Sequence, residues 1–228
     1  MTRNADDPFA ARAERLCGAL LALTAILTLV AILHHPSLAG RHDVRQTAEA
    51  MLPLASMDRL VHGALMLLIA LQTFGFALFG RSLGFNRLAV AAGLAAFAAG
   101  AVLMVIPTTL DGFVTPDLAQ ACLSAPERCA NADAGAFRLV SIMIQDFTKV
   151  ALILTAASTA CWSSVLLTAG TGLRRVAGLV GLLCAVVPAG VLVFSNVVLR
   201  PDSLLWIMGS QILWTSIVAG LMIHRRDV

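Results

Sequence analysis

Six apolar stretches recur along this chain, at approximately residues 14–35, 58–80, 88–109, 139–168, 175–199 and 203–223. Each approaches or exceeds the roughly 20 residues that one helical bilayer crossing needs. Within hydrocarbon the backbone must satisfy its own polar groups, which leaves helices and closed barrels as the available solutions. A barrel would require many short segments alternating with a period of two, and that pattern is absent. Apolar residues surround each stretch instead of following one stripe, as in helices packed by lipid and by one another. The chain is therefore predicted to be an all-α polytopic membrane protein with six transmembrane helices in a single integral domain, residues 1–228. Composition supports this, since 13% of residues are charged and 59% are hydrophobic, against about 25% charged in a soluble domain.

Arginine placement gives a direction. Arg3, Arg12, Arg15, Arg81, Arg87, Arg174, Arg175, Arg225 and Arg226 fall on one side of six alternating spans. The other side has Arg41, Arg45, Arg59, Arg128, Arg138 and Arg200, in longer segments rich in Asp and Glu. Positive charge in short loops marks the cytoplasm, so both termini are expected there, in a bacterial-type inner membrane. Residues 1–39 could be a signal peptide ending near Ser37-Leu38-Ala39, but the apolar run is long for that and reads as a retained first helix.

Two longer outer segments, 36–57 and 110–138, are expected to fold over the membrane face. Cys122 and Cys129 bracket six residues of the second. In an oxidising compartment they are expected to form a local disulfide. The two inner turns, GRSLGFNR and AGTGLRR, resemble each other. A shift of 88 pairs Asp58 with Asp146, Gly84 with Gly172, Arg87 with Arg175 and Gly93 with Gly181. This reads either as a repeat, making spans two to five a core of two similar hairpins with spans one and six flanking, or as two turns that share turn chemistry by necessity.

Ionisable side chains gather at one depth. His34 and His35 end the first span and His42 follows; Asp58 and His62 open the second; Asp111 ends the third, with Asp117 beyond. Gln145, Asp146 and Lys149 open the fourth. Such groups near hydrocarbon are costly, so they pair, face water or perform a task. Imidazoles with carboxylates suit Zn²⁺ or a similar divalent ion. The expected ligands are His34 or His35, His62 and Asp58, with Asp111 as a possible fourth. Adjacent histidines on a helix point about 100° apart, so one of the pair is expected to serve.

An open metal position would activate water, giving a membrane hydrolase acting on a lipid or lipid-linked substrate. Asp146 and Lys149 would then be catalytic, handling protons or an anionic headgroup. No HExxH, HxxxH or CxxC spacing fixes the site. Haem is not expected, because His62 has no histidine counterpart on the matching hairpin, where Val150 stands. Two other classes stay open. One is a proton- or ion-coupled transporter using Asp58, Asp146 and Lys149, with Pro107 and Pro188 interrupting spans. The other is an accessory or assembly subunit docking through Met57, Met66, Met104, Met143, Phe74, Phe76 and Phe113. The bilayer is an obligate partner, and scattered arginines without aromatic platforms give no nucleic-acid interface.

Overall fold

The computed structural model describes residues 8–35, 43–125, 127, 129 and 134–224. It is 91% helical, with no strand among the described residues. Six helices are long and apolar enough to cross a membrane. They are α1 (Pro8–Leu33), α3 (Ala55–Leu83), α4 (Leu88–Thr109), α6 (Ala134–Ala169), α7 (Leu173–Phe194) and α8 (Pro201–Ile223). Two short helices, α2 (Val44–Met51) and α5 (Thr115–Ser124), lie at the face opposite the start of α1 and the end of α8. We call this the far face. The two expected outer loops are thus largely helical where they are described.

The spans pack in chain order around a ring. α1 closes it by packing against both α3 and α8. A Cβ at Gly18 would come within 2.8 Å of the Ala219 carbonyl, so backbones touch there. Spans one and six are therefore integral to the ring rather than additions beside spans two to five. The tightest partnership is α4 with α6.

Both inner turns depend on a glycine with positive φ, Gly84 at 94° and Gly172 at 51°. L side chains rarely adopt that region, and glycine enters it freely. The 88-residue correspondence of these glycines has at least this local cause. Gly93 and Gly181 correspond in packing as well. The indole of Trp162 lies on Gly93, and that of Trp214 lies on Gly181.

Those indoles belong to an aromatic stack across the ring. Trp162 and Trp214 are parallel to within 6°, with centroids 6.0 Å apart. Phe76 stacks on Trp162 at 4.9 Å, and Phe97 tilts against Phe76 at 4.6 Å. Each such pair contributes about 0.5–1.5 kcal/mol beyond the area it buries. The stack seals the bundle on the side of the chain ends.

Polar side chains in the spans repair breaks in the helical ladder. Pro188 has no N–H to return to the Cys184 carbonyl. Gln211 of α8 donates its amide to that carbonyl at 2.9 Å, and its own oxygen accepts from Thr159 of α6 at 2.9 Å. One glutamine thereby ties three helices. A second does similar work near the far face. α7 stops at Phe194, short of the expected 199, and the chain turns inward. Gln145 holds it by donating to the Leu199 carbonyl at 2.9 Å and accepting from its N–H at 2.7 Å.

At the far face, Ala48 and Met51 of α2 pack with Ala119 and Cys122 of α5 and with Cys129 in a small separate core. Cys122 and Cys129 lie at disulfide distance, with Cα atoms 4.5 Å apart.

Candidate metal centre

The ring encloses a chamber of about 800 Å³ that begins beneath α2 and α5 and reaches down to Phe76 and Phe97. His35, Asp58, His62 and Asp111 all line its far-face end.

Asp58 and His62 are four residues apart in α3 and so share a face. Both are buried, with side chains 6% and 4% exposed. His62 Nδ1 lies 2.9 Å from the Asp58 carbonyl and 3.1 Å from its carboxylate Oδ1. Two acceptors at one ring nitrogen place a proton on Nδ1, so in the neutral ring the lone pair is on Nε2.

His35 follows the end of α1, where the chain leaves the helix. Its Nε2 lies 3.2 Å from His62 Nε2. The neighbouring histidine goes elsewhere, since His34 Nδ1 is bonded at 2.9 Å to the Val30 carbonyl of its own helix and is exposed. His42 lies outside the described residues.

Asp111 arrives by a local irregularity. Beyond Thr109, residues Leu110–Val114 form a turn of π-helix that leads into α5. Pro116 cannot return an N–H to the Gly112 carbonyl, so the ordinary ladder is broken here. Single π turns inside α-helices occur often at functional sites. Gly112 is needed for the approach, because a Cβ there would collide with the root of the His62 ring. Asp111 Oδ2 is thereby placed 3.3 Å from His35 Nε2 and 3.4 Å from His62 Nε2.

His35 Nε2, His62 Nε2 and Asp111 Oδ2 thus form a nearly equilateral triangle. Its edges are 3.2, 3.3 and 3.4 Å. Tetrahedral bonds of about 2.0–2.1 Å place neighbouring ligand atoms about 3.3–3.4 Å apart. His35, Asp58 and His62 likewise each offer a donor atom within 4.8 Å of the others and could hold a metal ion. The two sets differ in whether Asp111 or Asp58 supplies the carboxylate. Because Asp58 faces Nδ1 while the other donors converge on Nε2, it is better placed to orient His62 than to share an ion with it. A carboxylate behind a ligating histidine fixes the ring and raises its basicity.

The remaining expected residues fall elsewhere. Asp146 is exposed, and neither it nor Lys149 lines the chamber. No ion pair within 4.0 Å joins them or links either to another described residue. The relay of Asp58, Asp146 and Lys149 expected for a carrier is therefore not assembled in this conformation. Of the aromatic and methionine residues considered as docking surface, Phe76 and Met104 face the chamber, while Met57 and Phe74 are exposed. Arg59 pairs with Asp117 at 2.6 Å on the far face. Arg200 lines the chamber mouth with no acidic partner within 4.0 Å among the described residues. Nothing in the residue pattern singles out Arg200, rather than Lys149, as a cation lining the chamber.

No family model, curated protein or solved structure matches this chain.

Proposed function

We propose that the chain is a membrane metalloprotein, and that its centre is a divalent transition-metal site, Zn²⁺ by ligand chemistry. His35, His62 and Asp111 are the ligands, and Asp58 orients His62. The observation that carries this reading is the triangle of donor atoms, whose 3.2–3.4 Å edges match a tetrahedral face. Two nitrogens and one carboxylate oxygen suit zinc and leave a fourth position for water or substrate.

A zinc-bound water ionises near neutral pH. Set at the end of an apolar chamber, it supports hydrolysis of a lipid or lipid-linked substrate. Held by His35, His62 and Asp111, the ion would activate water for ester hydrolysis, in which the carbonyl carbon would exchange its bond to the alcohol oxygen for one to the water oxygen and the water's proton would pass to the alcohol. An acid and an alcohol result. The arginine bias supports a bacterial-type inner-membrane protein with both termini inside and the site facing away from the cytoplasm.

The test is elemental analysis of protein purified in lipid nanodiscs and equilibrated with Zn²⁺. One ion per chain is expected in the wild type, and substantially less in His62→Ala and Asp111→Ala at unchanged helix content. A wild-type protein that retains no stoichiometric ion after removal of free metal would overturn the reading.

A further inference from the structure

The chamber extends far beyond what a metal ion and a water require. His62 to Phe76 is fourteen residues along α3, and Asp111 to Phe97 is fourteen along α4 and the π turn that follows it. At 1.5 Å per residue both walls give a depth of about 21 Å. The volume, about 800 Å³, lies in the range of ligand sites, roughly 300–1,000 Å³.

The lining decides what can enter and in which direction. Leu65, Ile69, Met104, Leu152, Leu204 and Met208 supply apolar wall. The deep half also contains Thr28, Gln72, Thr155, Thr159, Gln211 and Thr215, and these are hydrogen-bonded within the protein. Gln72 donates to Thr28, Thr155 to the Ala151 carbonyl and Thr215 to the Gln211 carbonyl. Thr159 and the Gln211 amide are joined in the three-helix tie already described. Most polar groups here are already engaged, so a polar ligand group buried here would gain few partners for the desolvation it suffers. At the other end stand the proposed metal-binding cluster and Arg200, which has no acidic partner within 4.0 Å among the described residues. The chamber is polar-reactive at its mouth and blind, aromatic and self-satisfied at its floor.

We infer that the chamber is a sleeve for one hydrocarbon chain, with its carboxylate or ester at the His35–His62–Asp111 cluster and its methyl end on Phe76 and Phe97. Bonds of about 1.52 Å at angles near 111° advance an extended chain about 1.25 Å per carbon. The depth therefore accommodates about sixteen carbons. Taking a methylene as near the ~30 Å³ share of a water molecule, one such chain fills about 480 Å³ and two about 960 Å³. One fits and two do not. The head-group half of this inference rests on the proposed metal site, whereas the tail half rests on the chamber alone.

The floor supplies its own reporter. Trp162 and Trp214 are 0% and 1% exposed, directly behind Phe76, while Trp206 is 44% exposed. In a Trp206→Phe protein in nanodiscs, the two remaining indoles are shielded from bulk lipid. Hexadecanoate brominated at its terminal carbon is expected to quench their fluorescence at least twofold. Hexadecanoate brominated at carbon 2, and a ten-carbon chain brominated at its end, are expected to leave it within a tenth of its starting value. Ala101→Phe, one turn above Phe97, should abolish quenching by the sixteen-carbon chain.

Equal quenching by both bromine positions, or by neither, overturns the inference whether or not the variant folds. Repeating the titration after metal removal separates the two readings. Terminal-bromine quenching in a protein that never holds stoichiometric metal keeps the sleeve and sinks the centre. Stoichiometric metal without position-dependent quenching does the reverse.

Discussion

Replacing Asp58 or Asp111 by alanine separates a ligand from a residue that positions one. Both carboxylates are near His62, and the two donor sets differ in which of them is the third ligand. If Asp111 completes the triangle, Asp111→Ala removes one of the metal bonds. Structural zinc sites are worth about 10–16 kcal/mol over four ligands, so one ligand accounts for about 2.5–4 kcal/mol, or roughly 10²–10³-fold in affinity. Asp58→Ala leaves the triangle intact. The Asp58 backbone carbonyl, 2.9 Å from Nδ1, still holds the ring tautomer. Removal of such a supporting group costs 10–100-fold, and the surviving carbonyl places this case near tenfold, about 1.4 kcal/mol. The assay is competition for Zn²⁺ against a fluorescent chelator, with the protein in nanodiscs at fixed pH. A tenfold loss for Asp58→Ala beside at least a hundredfold loss for Asp111→Ala is expected. The reversed ranking would refute the argument, since it would make Asp58 the ligand and Asp111 a bystander.

The same titration distinguishes the adjacent histidines: His35→Ala should weaken Zn²⁺ binding by at least a hundredfold, while His34→Ala, which loses only a bond to its own helix, should stay within twofold. Gln145→Leu removes two hydrogen bonds to Leu199 and leaves that segment's buried polar groups unmatched, at about 1–3 kcal/mol each. A lower Tm and faster thiol labelling of a Val198→Cys probe are expected, and unchanged values for both would show that the segment is held by other contacts. Thiol titration of the denatured protein without reductant should count three cysteines, Cys17, Cys161 and Cys184, and five with reductant; five in both conditions would exclude the Cys122–Cys129 bond.

Much of the architecture was readable from side-chain type. Runs such as LAVAAGLAAFAAGAVLMVI admit only one solution in a bilayer, and helix α4 occupies that run. The common depth of His35, Asp58, His62 and Asp111 could also be read by counting turns from each span's start. The fifth span ends short of its apolar run: VVL reads as more membrane helix, whereas Gln145, 54 residues away, holds Leu199 in a non-helical segment. Asp146 and Lys149 show the same limit. Their height along the helix was legible, but the direction in which they point was not, and they lie away from the chamber.

The sequence by itself determined the solvent, the number of crossings and the level at which charge collects, because each follows from the free energy of placing a given side chain in hydrocarbon. Tertiary structure alone decided that His35 and not His34 meets His62, that a π turn delivers Asp111, and that Phe76 and Phe97 line the deep end of the chamber. Those outcomes depend on the rotation of each helix about its own axis. Rotation is set by packing between residues distant in the chain, such as Gly112 against His62 and Gly93 against Trp162.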